Sequence, residues 1–403
     1  MTKALYIHIP FCDQICSYCD FPKIISCGQN IDSYLNALLT ELDIYEKTVG
    51  FKRLQTIYLG GGTPTVLTVA QLDRLFAYLH KVIDFNRLTE VSIEANPESL
   101  NSDEKIDCLV KNGITRISLG VQTFQKNLLK ILERNHTKED VIQVINKLST
   151  TNIEINIDMI YSIPTQTLEQ LENDLNTLIS LPITHISAYS LILEEHTKFH
   201  IDYMKNKLEF LDNDLEATMF EMVINKLSTA GFEHYEISNF TRGNRSYHNE
   251  TYWKNKPYIA VGLGAHGQLE ISPYENISHS GIIAPIPIGY EYEPLPGRVR
   301  YENTRSINAY KKALQREDLP VSNRRTLTTD ESIEESMFLG LRLLEGVNLG
   351  ILSIQYQQDI YGLYKEKINK LISLDYVSLE NHVLRLNKKG LMMANDVFEA
   401  FLL

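Results

Sequence analysis

Along the first half of the chain, short apolar and β-branched runs alternate with longer stretches in which apolar side chains recur every three to four positions. The runs Ala4 to Ile9, Thr56 to Leu59, Glu90 to Ala95, Arg116 to Gln122, Glu154 to Ile160 and His185 to Leu193 read as strands. Between them, Asp32 to Lys47, Val69 to Val82, Asp103 to Asn112, Lys138 to Ser149 and Leu168 to Ser180 carry the helical period. Mostly apolar strands, each followed by a helix, predict an α/β architecture with a parallel sheet under helices. Such units make either an open doubly wound sheet or an incomplete barrel, and periodicity does not choose between them. Both place chemistry beyond the C-terminal ends of the strands. The cysteine-rich segment, Gly60-Gly61-Gly62-Thr63-Pro64, Glu94, Gln122 and Asp158 all fall at or near such ends.

The pattern changes after about residue 206. A helix is expected over Asn213 to Ala230, then a strand-like GFEHYEISNF; residues 281–297 hold four prolines and no period, which reads as an extended loop or insertion. From Thr328 come helices, two short strands around Asn381-His382 and a final helix through Phe398, either a smaller α+β, winged-helix-like domain or a helical cap. The expected divisions are 1–205, 206–300 and 301–403.

Charge narrows the choice of partner. The 403 residues carry 51 Asp and Glu against 39 Lys and Arg, a net charge of -12. A polyanion would be repelled except at a local basic patch, so nucleic acid is not the expected partner. No window is long and apolar enough for a membrane span, and the N-terminus lacks the apolar stretch of a secretory signal, so a reducing cytoplasm is expected. Of five cysteines, Cys12, Cys16 and Cys19 cluster while Cys27 and Cys108 stand apart, which is not the distribution of a disulfide framework.

Cys12, Cys16 and Cys19 form C-x3-C-x2-C directly after a strand. Three thiolates on a turn-forming segment can hold an iron-sulfur cube and leave its fourth iron open to a small chelating molecule. Zinc is the alternative, with His8 or Cys27 as fourth ligand. Cys108 reads as a small buried hydrophobe on a helix face.

The segment Tyr6 to Cys12, the three cysteines, Tyr18 and the GGGTPT run at Gly60 to Thr65 resemble the radical S-adenosylmethionine (SAM) superfamily, and within it the branch of oxygen-independent coproporphyrinogen III oxidase. The resemblance covers the core through about residue 270, and Thr328 onward is similar to that branch's C-terminal domain. It implies a partial (β/α)6 barrel, a 4Fe-4S cluster on Cys12, Cys16 and Cys19, and SAM on the open iron. The family's SAM contacts would fall on Tyr6, Gly61, Gly62, Thr63, Glu94, Gln122, Arg134 and Asp158. A guanidinium suits the methionine carboxylate and a carboxylate suits ribose hydroxyls. Arg134 could otherwise be a solvated helix-end charge.

Two departures separate the chain from the branch's decarboxylating enzymes: Phe21 stands where they have a further cysteine, and Cys12 lies near the start of the sequence where they carry an extension. What remains is similar to the heme chaperone class of the branch. His248-Asn249-Glu250-Thr251-Tyr252-Trp253 matches that class's HNxxYW motif, and a neutral imidazole such as that of His248 is a good heme ligand. His266 is a second candidate for heme contact, and Arg242, Arg245, Arg298 and Arg300 could meet propionates, although solvated charge is the default for each. The expected function is therefore heme binding and transfer to an acceptor protein, with membrane association only if the acceptor is membrane-bound. The alternative is a radical SAM oxidoreductase acting on a porphyrinogen. Gly262-Leu263-Gly264-Ala265-His266-Gly267 spells a dinucleotide fingerprint, but an extended run follows it rather than a helix.

Overall fold

The computed structural model describes residues 2–100, 102–271 and 297–403. Strands β1 (Ala4–Ile9), β2 (Thr56–Gly61), β3 (Glu90–Ala95), β4 (Arg116–Gln122), β5 (Glu154–Tyr161) and β6 (His185–Ser190) lie side by side in chain order, each parallel to the next. A doubly wound sheet would reverse direction partway through its strand order. None of these six does, so the arrangement is the incomplete barrel.

Apolar partners meet across the ladder, with Ile7 opposite Leu59, Leu59 opposite Ile93 and Ile93 opposite Ile117. Helices α1 (Ile31–Thr48), α2 (Val69–Val82), α3 (Asp103–Lys111), α4 (Lys126–Ile131), α5 (Lys138–Leu148) and α6 (Leu168–Ser180) follow the first five strands. Helices α2, α5 and α6 begin with capping boxes formed by Thr68 with Gln71, Thr137 with Asp140 and Thr167 with Gln170. Each accepts from two otherwise orphaned backbone N–H groups and fixes where a crossover turns into a helix. Leu72, Leu75, Phe76 and Leu79 of α2, and Leu171, Leu175 and Leu178 of α6, are buried at helical spacing.

The sheet continues on both flanks. Beyond β6 lie β7 (Glu233–His234) and β8 (Asn239–Thr241); beyond β1 lie β9 (Tyr258–Val261), β10 (His266–Ile271), β11 (Gly297–Asn303) and β12 (Val321–Leu327). Strand β9 is a seventh parallel strand against β1, and β10 to β12 return antiparallel. The division expected at residue 301 falls inside β11, because the sheet runs to Leu327. A separate core then begins, built from Ile333, Met337, Leu341, Ile360, Tyr364, Ile368, Val397 and Phe401 among others. It contains the expected hairpin, Val377–Glu380 against Val383–Leu386, with Val347–Asn348 as a third strand. The proline-rich insertion expected at 281–297 lies, up to residue 296, outside the described residues. No described helix is long and apolar enough to cross a membrane.

Candidate functional site

The barrel strands are buried at nearly every position, with a recurring exception. Tyr6 in β1, Tyr58 in β2, Glu94 in β3 and Asp158 in β5 are only partly covered within otherwise buried runs. These side chains line the lumen of the incomplete barrel. Glu94 accepts hydrogen bonds from Tyr58 Oη and from Gly61 N, both at 2.9 Å. Burial pushes its carboxyl up to about 7 against the pull of those donors, with the charge of Asp158 adding to the rise. Asp158 accepts from Ser118 Oγ and Asn156 Nδ2 at 2.8 Å, and burial raises its carboxyl too. Tyr6 stacks on Tyr58 with centroids 6.1 Å apart.

The cysteines sit at the C-terminal end of this lumen. Phe11–Cys12 pairs in parallel with Ile24–Ile25, so the intervening loop is pinched at its base, with Ile24 N donating to Pro10 O at 2.7 Å and Ser26 N to Cys12 O at 2.8 Å. Cys12 is buried, and burial pushes its thiol up to about 11, with the sulfurs of Cys19 and Cys16 adding to the rise. Thiols that disfavour one another's ionisation need a cation to become thiolates, and this donor set fits one. Among the described residues no three His, Cys, Asp or Glu are gathered tightly enough for a single metal ion. One thiolate per iron of a cluster suits such a spread. His8 does not complete a zinc set: its Nε2 faces Pro22 O at 2.8 Å, so it must donate, and Nδ1 accepts from Tyr6 Oη at 2.9 Å. Cys27 is exposed and Cys108 is buried in the core.

The glycine run holds β2 against this loop. A Cβ on Gly61, whose φ is +114°, would fall 2.4 Å from the His8 ring, and one on Gly62 would fall 2.6 Å from Phe11 O and 2.9 Å from Cys12 Sγ. Side chains close the ring around the cysteines. Thr63 Oγ1 lies 3.9 Å from Cys12 Sγ, Asn96 Nδ2 donates to Thr63 Oγ1 at 3.0 Å, and Arg134 Nη2 donates to Asn96 Oδ1 at 2.9 Å. Arg134 Nη1 then reaches Cys16 Sγ at 3.6 Å, and Nη2 also meets Gly120 O at 2.6 Å. Arg134 is thus buried, not a solvated helix-end charge. Gln122, with φ +66°, ends β4 at a register shift against β5 that turns the chain toward the same rim. Asn96 escaped the sequence reading; its signal is its place directly after β3. Gly61, Gly62, Thr63, Gln122 and Arg134 therefore share one end of the barrel with the three cysteines, and Tyr6, Glu94 and Asp158 line the lumen leading to it. The site combines soft donors, a buried guanidinium and two carboxylates of differing environment, a set able to hold a zwitterion bearing hydroxyls.

His248 is elsewhere. It lies on the helix Tyr247–Trp253, fully buried, with Nδ1 2.8 Å from Thr56 Oγ1 and Nε2 2.7 Å from Tyr252 Oη. Burial pulls its imidazole down to about 3. Thr56 opens β2 and Gly61 ends it, a span of roughly 17 Å at the usual strand rise. Both nitrogens of the expected heme ligand are thus engaged by hydroxyls at the floor end of the barrel, away from the cysteines. His266, by contrast, opens β10 with its side chain 56% exposed and Glu302 Oε1 3.5 Å from Nε2. Gly264, two residues earlier, backs onto Pro22 of the cysteine loop and onto Arg305. The fingerprint-like run around it is held by buried Glu41, which accepts from Gly262 N at 2.8 Å, Asn303 Nδ2 at 2.6 Å and Tyr310 Oη at 2.5 Å. It leads into a strand, not a helix. Three of the arginines considered for propionates have internal partners: Arg242 donates to Leu181 O and Ile183 O, Arg245 bridges Glu233, Glu250 and Glu345, and Arg300 meets Glu335, whereas Arg298 is buried and its Nη1 has no hydrogen-bond partner among the described residues.

Residues 6–178 match the radical SAM superfamily and residues 327–393 match the HemN C-terminal domain. The chain is 38% identical over 403 residues to the heme chaperone HemW of Lactococcus lactis subsp. lactis, covering 100% of this chain and 97% of that one. It is 36% identical over 403 residues to HemW of Bacillus subtilis, covering 99% of each. Among solved structures, coproporphyrinogen III oxidase (HemN) of Escherichia coli superimposes with a TM-score of 0.79 at 20% identity, covering 100% of this chain and 90% of that one, a likeness of fold.

Proposed function

The chain belongs to the HemW family within the radical SAM superfamily, and on that premise we propose that it is a cytoplasmic protein that binds heme and passes it to an acceptor protein. The carrying observation is similarity to heme chaperones over essentially the full length of both chains. Phe21, 61% exposed, stands where the decarboxylating relatives have a further cysteine, which supports a carrier rather than a porphyrinogen oxidoreductase.

In this reading Cys12, Cys16 and Cys19 hold a 4Fe-4S cluster, and SAM completes the coordination of its open iron. Such a cluster can supply one electron to a bound SAM. Arg134 is placed to meet the carboxylate of SAM, Glu94 and Asp158 to accept hydrogen bonds from its hydroxyls, and Gly61 and Gly62 to admit it close to the backbone. The heme iron takes His266, an exposed histidine at the cysteine end of the barrel, whose Nε2 lies 3.5 Å from Glu302 Oε1. Burial lowers its proton affinity against the opposing pull of the Glu302 carboxylate, with Arg305 and Arg300 adding to the fall, which favours the neutral, ligating form at pH 7.

Hemin titrated into the anaerobically reconstituted protein tests this. Saturable binding near one heme per chain, with a Soret band displaced in His266→Ala, is the expected result. Wild-type protein with an intact cluster and no saturable binding would overturn the carrier reading; unchanged binding in His266→Ala would overturn only the ligand.

A further inference from the structure

The HNxxYW segment carries a histidine, a tyrosine and the chain's only tryptophan, and its helix is fastened on two sides. Label this helix α7 (Tyr247–Trp253). Its N-terminus is seated on the first residues of three strands. Tyr247 N donates to Glu90 Oε2 at 2.8 Å and Ser246 Oγ to Glu90 Oε1 at 3.3 Å. Glu90, buried at the start of β3, faces Arg116 Nε of β4 at 3.5 Å, and Arg116 Nη2 continues to Glu154 of β5 at 2.6 Å. His248 adds the start of β2 through Thr56. The helix therefore spans the floor of the barrel.

From that floor the contacts run upward. The His248 ring stacks on Tyr58 with centroids 5.1 Å apart, and Tyr252 closes the other side of the imidazole edge-on at 5.1 Å. Tyr58 in turn donates to Glu94 at 2.9 Å. Downward, the guanidinium of Arg342 lies 4.3 Å over the Trp253 ring, and Asn255 just past the helix donates to Ser336 Oγ at 3.1 Å. Both partners belong to the segment after β12. The helix thus links the C-terminal domain to the floor, and the floor to a carboxylate at the candidate site.

We infer that His248 is a positioning residue: it fixes the Tyr58 ring, and through Tyr58 the Glu94 carboxylate, so that the HNxxYW helix serves the SAM site from beneath rather than ligating heme. This rests on the reading that Glu94 contacts SAM. A planar imidazole with one donor and one acceptor suits the place, because it bridges Thr56 and Tyr252 while offering a flat face to Tyr58. Alanine would remove both bonds and the face together. Glutamine would keep an amide able to bridge the two hydroxyls. At metal sites a group bonded directly to a ligand costs about 10–100-fold in affinity when it is lost, and His248, which acts through Tyr58, belongs at the low end of that range.

The test follows SAM through its effect on the electron paramagnetic resonance spectrum of the reduced cluster, with hemin absorbance read on the same preparations. His248→Ala should weaken SAM about tenfold, His248→Gln should recover part of that loss, and Tyr58→Phe combined with His248→Ala should weaken it no further than the stronger single variant. The Soret band of hemin should match wild type in all of them. SAM affinity unchanged in His248→Ala, losses that simply add in the double variant, or a heme band lost with His248 would each overturn the inference. Should His248→Ala fail to fold, Tyr252→Phe removes one of the two imidazole bonds at constant shape, and the same two readouts decide. A wild-type cluster that ignores SAM would instead overturn the SAM assignment that the inference rests on.

Discussion

Replacing Tyr58 by phenylalanine removes one hydroxyl, and its effect on SAM binding should depend on pH. Tyr58 Oη donates to Glu94 Oε1 at 2.9 Å inside the lumen, where burial already pushes that carboxyl up to about 7. Near pH 7, therefore, about half of the wild-type chains hold Glu94 ionised. A hydrogen bond to a charged group contributes roughly 1.5–3 kcal/mol. Its loss lets Glu94 hold its proton roughly 10–100-fold more tightly, at about 1.4 kcal/mol per tenfold. If SAM hydroxyls need the ionised acceptor, only about 1–10% of variant sites are competent at pH 7, and the apparent dissociation constant rises about 5–50-fold. The sign follows from the raised proton affinity: affinity grows as pH climbs through the carboxyl's range, so the variant recovers only by about pH 9–10 while wild type has levelled off near pH 8. Calorimetric SAM titrations between pH 6 and 10 would show it. Superimposable profiles, or a loss equal at every pH, would refute the reasoning.

Three further outcomes follow. Gly62→Ala places a Cβ 2.6 Å from Phe11 O and 2.9 Å from Cys12 Sγ, so iron and acid-labile sulfide per chain should fall, whereas Gly28→Ala, which strains the backbone at φ +77° but meets nothing within 4 Å, should keep both. Arg116→Met leaves Glu90 buried without its cation and should destabilise the protein by about 3–5 kcal/mol in urea unfolding, with Glu90→Gln/Arg116→Met recovering part of the loss. Glu41 is pushed up to about 7 by burial, so its contribution to stability is lost as pH rises from about 4.5 to 7. Glu41→Gln should remove that portion of the pH dependence, and parallel urea midpoints for the two proteins across that range would contradict it.

Much of the barrel was legible because its strands are short runs rich in apolar and β-branched residues and its helices carry the apolar period behind Thr, Ser or Asn caps. Ala4–Ile9, Glu90–Ala95 and Arg116–Gln122 have the bounds expected from pattern, as do Val69–Val82 and Leu168–Ser180. Strand order was not legible, since it depends on which neighbours pair rather than on any local period. Strand β9 escaped notice because Tyr258–Val261 is four residues long and runs straight into glycines. In the site, spacing gathered the cysteines and family motifs gathered the residues around them, but no pattern could say that Arg134 turns inward to Cys16 or that Asn96 bridges it to Thr63. His248 shows the limit most plainly: a motif names residues without saying which end of a barrel they occupy, and the hydroxyls of Thr56, remote in sequence, and of Tyr252, one helical turn away, engage both of its nitrogens.

The claim that this chain carries heme rather than remodels a porphyrinogen is met most directly in one anaerobic sample, cluster-loaded, reduced and supplied with SAM, then offered hemin and coproporphyrinogen III in turn. The account predicts a Soret band that saturates near one heme per chain and porphyrinogen recovered unchanged. Decarboxylated porphyrinogen forming in step with 5′-deoxyadenosine, with no saturable heme band, would contradict it.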